Sequence, residues 1–245
     1  KQENFTTGSL DSITLENGMQ RETNLLGEAM ATPGEKHDHR SAIGGLSWLS
    51  NQTRPDLSFA TSEAQRHQES PTVEDIKRTN KAIQHAKDTA TYEHVVRRID
   101  PEKLAVVCFH DAAWANVESE EQLLQAAEIP EAPPSEKSAR PKNKTQAGYL
   151  LFLADTEQVS TGVIDGASLV DWRSHTIPRI VQSTFAGETM AACEGFGAAI
   201  YLRAVLAECI TGRRADLLSD PNLREIIPIT GVTDCKSVYD TIRSE

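Results

Sequence analysis

With 245 residues the chain has room for one large domain or two small ones, and it can bury an ordinary core. Its formal net charge of -11 and an aromatic content of only 5% exclude a blanket electrostatic attraction for nucleic acid, so such a partner would need a local basic patch or metal ions. The four cysteines, Cys108, Cys193, Cys209 and Cys235, form no C-x-x-C spacing, which argues against zinc or dithiol chemistry and for a reducing, intracellular compartment (cytoplasm or nucleus).

The polar start "KQENFTTGSLDS" is no signal peptide and reads as cut from something longer. No apolar run approaches the roughly 20 residues of a membrane span, so no membrane partner is expected. Residues 1–39 lack a sustained hydrophobic period and read as a loosely ordered segment, with His37 and His39 of "HDHR" as two exposed histidines. From Arg40 to about Lys87 the signals are helical, within a helical segment drawn at 40–100. Ile43, Leu46 and Leu49 repeat at helical spacing, and Pro55 of "TRPDLSFA" suits a first turn. A third helix follows "SPTVED", with Ser70 or Thr72 as N-cap and Asp75 placed for a capping box. Its apolar face is Val73, Ile76, Ile83 and Ala86.

Strands come next. "LAVVCFHDAAW", "AGYLLFLAD" and "SLVDWRS" predict three strands in an antiparallel meander. Between the first two lies an insertion at about 116–145, acidic at its start, Pro-rich in its middle and basic at Lys137, Arg140, Lys142 and Lys144. Its "EEQLLQAAE" reads as a short helix and the rest as a solvated loop. The longest helix runs from Ser183 or Thr184 to about Glu208. Gly187, Gly195 and Gly197 each cost about 1 kcal/mol there relative to Ala, which close packing on a sheet would offset. A fourth strand ends in "IPITGVTD", and a last helix starts near Cys235.

Three acids stand out. Asp111 and Asp234 each close an apolar run, although an Asp after a strand is more often a turn former or a helix cap, and Asp234 is placed to cap "CKSVYDTI". Glu188 falls within about 40° of Ala192, Gly195 and Ala199 on a helical wheel, on the face that should meet the sheet. Glu194 and Glu208 fall roughly opposite. A buried acid needs a partner or a cation. Three carboxylates from two strand ends and a helix would form an all-oxygen site of the kind that selects Mg²⁺ or Mn²⁺.

"CFHDAAWAN", "TQAGYLLFL", "LVDWRS", "STFAGETMAACEG" and "VTDCKSVYDTI" resemble, in order, the ribonuclease H region of copia-type retrotransposon Pol polyproteins. "RSAIGGLSWLSNQTRPDLSFA" and "SPTVEDIKRTNKAIQHAKDT" resemble the segment connecting reverse transcriptase to that region. The resemblance covers about Arg40 to Ile242 apart from the insertion. It implies an α/β, ribonuclease H-like mixed sheet over 104–245, with three antiparallel strands, a helix and a parallel strand, after a small helical segment. It also implies endonucleolytic hydrolysis of the RNA strand of an RNA–DNA hybrid with two Mg²⁺ (or Mn²⁺) ions, and the remainder of a reverse transcriptase polyprotein as a partner. Residue by residue, the family's catalytic and metal-binding acids fall on Asp111, Glu188 and Asp234.

The chain departs from the family in three places. The family's fourth carboxylate, with the last strand and helix, is expected beyond Glu245, which leaves the domain C-terminally incomplete, one metal weakly held, and Asp240 too early to substitute. The helix motif "STFAGETMA" aligns only with a one-residue shift. Ala113 stands where relatives often carry an acid that is not a metal ligand. The alternative expectation is a non-catalytic remnant that keeps the fold as a nucleic-acid or protein interaction module. No Y-x-D-D motif of a polymerase occurs.

Overall fold

The computed structural model describes residue 8 and residues 10–24, 26–117, 144–212 and 223–244. These residues form two compact units, one running to His94 and the other made of Val95–Val117 and the residues from Lys144 onward. The insertion lies almost wholly outside the described residues, with its short helix and Lys137, Arg140 and Lys142; Lys144 opens a strand.

In the first unit, α1 (Pro33–Gln52) begins ahead of the expected Arg40. The reason is a second capping box: Thr32 accepts from the Glu35 amide while the Glu35 carboxylate accepts from the Thr32 amide, with Pro33 in the first turn. A 3₁₀ turn (Pro55–Leu57) leads into α2 (Ser58–His67), and α3 (Val73–Asp88) starts at Thr72, whose hydroxyl accepts from the Asp75 amide. No regular element occupies residues 92–100, so the helical segment ends earlier than drawn. Replacing Thr72 with Ala should lower the stability of this unit by about 1 kcal/mol, measured as a shift in urea midpoint.

The described residues from 10 to 39 are not loosely ordered. Leu10 and Ile13 are buried with Leu46, Leu49, Leu57, Ile76 and Ile83. The Ile13 backbone exchanges two hydrogen bonds with the Asn80 side chain, at 2.8 and 2.9 Å. Arg21 donates to both oxygens of the buried Glu35 at 2.6 Å, and this fork holds the carboxyl down at about 2. His39 is also corrected: it is fully buried, with Nε2 2.9 Å from the Thr79 hydroxyl, while His37 is exposed.

The second unit is α/β. Its four-stranded sheet has the order β3-β2-β1-β4, with β1 (Leu104–Val117), β2 (Lys144–Asp155), β3 (Ser168–Thr176) and β4 (Ile229–Val232). The β1–β2 and β2–β3 pairs are antiparallel, and β1–β4 is parallel. A short helix not anticipated from sequence, α4 (Thr156–Thr161), joins β2 to β3, capped by Asp155. The long helix α5 (Thr184–Thr211) is capped by Ser183 and closed at Gly212 in the left-handed region. Two short helices, α6 (Leu223–Ile226) and α7 (Lys236–Arg243), flank β4.

Alternation along β1 points Leu104, Val106 and Cys108 toward α5, where they pack with Leu151, Ala199, Ala207 and Ile227. At Gly195 the approach is so close that a Cβ would lie 2.8 Å from Cys108 Sγ and 3.2 Å from Tyr149 Cβ. Gly187 is nearly as tight, but Gly197 meets nothing within 4 Å, so close packing does not account for that glycine. By length and composition α5 could cross a membrane, contrary to the expectation that no segment qualifies. Its small-residue face, however, is buried on the sheet and carries Glu188 and Arg203.

Candidate metal centre

In the parallel β1–β4 ladder the last registered pair is Phe109 with Val232. Asp111 and Asp234 each follow two residues later, so the same step of the pleat places both carboxylates at the end of the sheet where β4 stops pairing. Asp111 does not close its strand as expected. β1 continues to Val117 along β2, with Asp111 opposite Gly148, and only the β4 partner has ended. Nor does Asp234 cap α7: the cap position is Cys235, without a side-chain cap bond, and the Cys235 amide donates to the Thr233 hydroxyl.

Glu188 enters from the first turns of α5. It is 5% exposed and lies in the buried row with Ala192, Gly195 and Ala199. One ligand oxygen from each of Asp111, Glu188 and Asp234 lies within 4.8 Å of the others; the two aspartates are exposed and the glutamate is buried. The structure therefore brings all three sequence-predicted site residues together. Glu194 differs from expectation: it is half-buried against β3, 3.0 Å from His175 Nε2 and 3.9 Å from Arg173, while Glu208 is exposed.

The electrostatics show what the arrangement lacks. Burial pushes the Glu188 carboxyl up to about 7, helped by the neighbouring charges of Asp111 and Asp234 and opposed by the Ala112 backbone amide. Its buried Oε2 has no hydrogen-bond partner. A buried carboxylate with one oxygen unpartnered, clustered with two further carboxylates, fits a hard divalent cation, and the all-oxygen donor set fits Mg²⁺ or Mn²⁺ better than zinc. Without a cation, the alternative is a proton on Glu188.

Sequence reasoning passes over three neighbours. His110 is buried beside Phe196, its ring centroid 6.0 Å away; desolvation lowers its pKa against the pull of Asp111 and Asp234. Trp114, 44% exposed, donates its Nε1–H to the Val181 carbonyl at 3.0 Å, fastening the loop before α5 to β1. Arg179 sits in that loop. The indole in "HDAAW" is a signal present in the sequence, whereas the loop's contacts are not. No protein-family model, curated protein or solved structure matches this chain.

Proposed function

We propose that the second unit is a ribonuclease H-like domain of retrotransposon origin that hydrolyses the RNA strand of RNA–DNA hybrids with divalent metal ions. One observation carries this reading: acids from β1, the residues just after β4 and a helix converge within 4.8 Å, and the buried one has an oxygen without a partner. The mixed sheet, with its three antiparallel strands, covering helix and parallel fourth strand, supports it further.

Asp111, Glu188 and Asp234 would hold the cation, with Glu188 fixing it from the helix side and the exposed aspartates presenting it to substrate. When bound, divalent ions at such a site lower the pKa of an attacking water and stabilise charge on the leaving 3′ oxygen. The carboxylates orient that chemistry, and the rigid seat of α5 on β1 and β2 keeps their spacing.

The second reading, a module that binds without cleaving, is favoured by the size of the cluster, which holds three carboxylates among the described residues. A labelled hybrid incubated with Mg²⁺ or Mn²⁺ separates the two. The nuclease reading expects cleavage that Asp111→Asn abolishes. Cleavage surviving that substitution, or no cleavage by the unaltered chain, would count against it.

A further inference from the structure

We infer that Arg179 is a substrate-positioning residue that grips the phosphodiester backbone of the nucleic acid beside the acidic cluster; this rests on the nuclease reading above. Arg179 lies in the loop between β3 and α5, between two buried anchors, Ile177 at 1% and Val181 at 5% exposure. The Ile177 amide donates to the Thr145 carbonyl at 2.8 Å, and the Val181 carbonyl accepts from Trp114. A Cβ built on Gly187 would lie 3.6 Å from Val181 and 3.6 Å from Ala112. The loop is therefore seated against the immediate chain neighbours of Glu188 and of Asp111.

Between its anchors the loop turns outward. Arg179 is exposed, and among the described residues it has no carboxylate or other hydrogen-bond partner. Arg21, Arg40 and Arg54, by contrast, each bind a carboxylate. An unpaired guanidinium on a loop fixed by one backbone hydrogen bond, one bond from the Trp114 indole and two apolar anchors sits on a segment already organised for a ligand, so little loop order has to be created on binding.

Charge supplies the need. A polyanion approaching three carboxylates on a chain of net charge -11 is repelled unless a cation meets it at the rim. Phosphates recur about every 3.4 Å of axis along each strand, so a strand laid across the acids places further phosphates over the flanking loops. Arginine matches phosphate with a planar, permanently charged fork, and the adjacent exposed indole of Trp114 offers an apolar surface to the sugar beside it.

The test is hybrid affinity by fluorescence anisotropy in EDTA, which removes cleavage and dependence on the metal, together with Mn²⁺ affinity by electron paramagnetic resonance. Arg179→Ala should weaken hybrid binding about five- to tenfold and make the salt dependence shallower by about one unit of slope, while Arg179→Lys recovers most of the affinity. Mn²⁺ affinity should be unchanged in both variants. Arg98→Ala, which removes an equal exposed charge before β1 at the other end of the sheet, should have little effect. Equal losses in Arg98→Ala and Arg179→Ala would reduce the effect to net charge and overturn the assignment. So would unaltered affinity in Arg179→Ala, or no hybrid binding by the unaltered chain. Failure of the unaltered chain to bind Mn²⁺ would overturn the metal centre and leave the Arg179 result to be read from anisotropy alone.

Discussion

Replacing Glu188 with Gln should make the metal-free protein more stable at pH 8, by about 2 to 3 kcal/mol, and should remove most of the stabilisation that Mg²⁺ or Mn²⁺ confers. The carboxyl is pushed up to about 7 in the fold, chiefly by burial. Between its ordinary range near 4.5 and about 7 the folded chain keeps a proton that the unfolded chain has released, so stability falls as pH rises through that window. Above 7 the whole cost is present, and glutamine does not incur it, because its amide is neutral and can donate to Asp111. For a chain of this size the gain corresponds to roughly 5 to 10 °C in melting temperature. His39 and His110, both lowered by burial, slope the other way, gaining stability as pH rises toward their unfolded value; comparison of variant with parent subtracts them. Adding millimolar Mn²⁺ should reverse the order, since an ion bound only by the fold raises the parent's melting temperature and the variant has lost the buried ligand. Parallel melting curves for parent and variant from pH 5 to 8, with and without Mn²⁺, would remove Glu188 from any metal centre.

How much of this is legible in the sequence depends on where each element's order comes from. The strands are readable because burial on both faces writes itself as an apolar run, as in "LAVVCF" over Leu104–Phe109, of which all but Phe109 is buried. The row of Glu188 with Ala192, Gly195 and Ala199 is readable because helical spacing reports one face directly. The described residues from 10 to 39 are not readable. Their order rests on Asn80 bonding Ile13 from 67 positions away and on Arg21 reaching Glu35, contacts that leave no periodic trace. His39 escapes for the same reason, since its burial depends on Thr79 and the packing of α3 rather than on its neighbours in "HDHR". For Asp111 the sequence identifies the residue but not its position: it shows where an apolar run ends, whereas here only one of two neighbouring strands ends. The loop carrying Arg179 lacks any signal, because Ile177 and Val181 look like ordinary apolar loop residues until Ala112, Ala147 and Ala191 are found against them.

Gly195→Ala should destabilise the second unit although it adds a methyl to a helix, and it should weaken Mn²⁺ binding at a distance. In an unconstrained helix the change would gain about 1 kcal/mol. Here the new Cβ would meet Cys108 Sγ at 2.8 Å and Tyr149 Cβ at 3.2 Å, both on strands that cannot retreat without disturbing the β1–β2 ladder. Overpacking of this kind costs about 1 to 3 kcal/mol beyond what the propensity recovers, read as a lower denaturation midpoint. If α5 moves outward to relieve the contact, it carries Glu188, two turns earlier on the same face, away from Asp111 and Asp234. Mn²⁺ affinity should then fall about tenfold, although no ligand has changed. Cys108→Ala supplies the control. It removes the nearest obstructing atom, so introducing Gly195→Ala into that background should cost far less than in the parent, and the affinity should return with the stability. Recovery of stability without recovery of Mn²⁺ binding would show that the seat of α5 on β1 does not set the spacing of the three carboxylates.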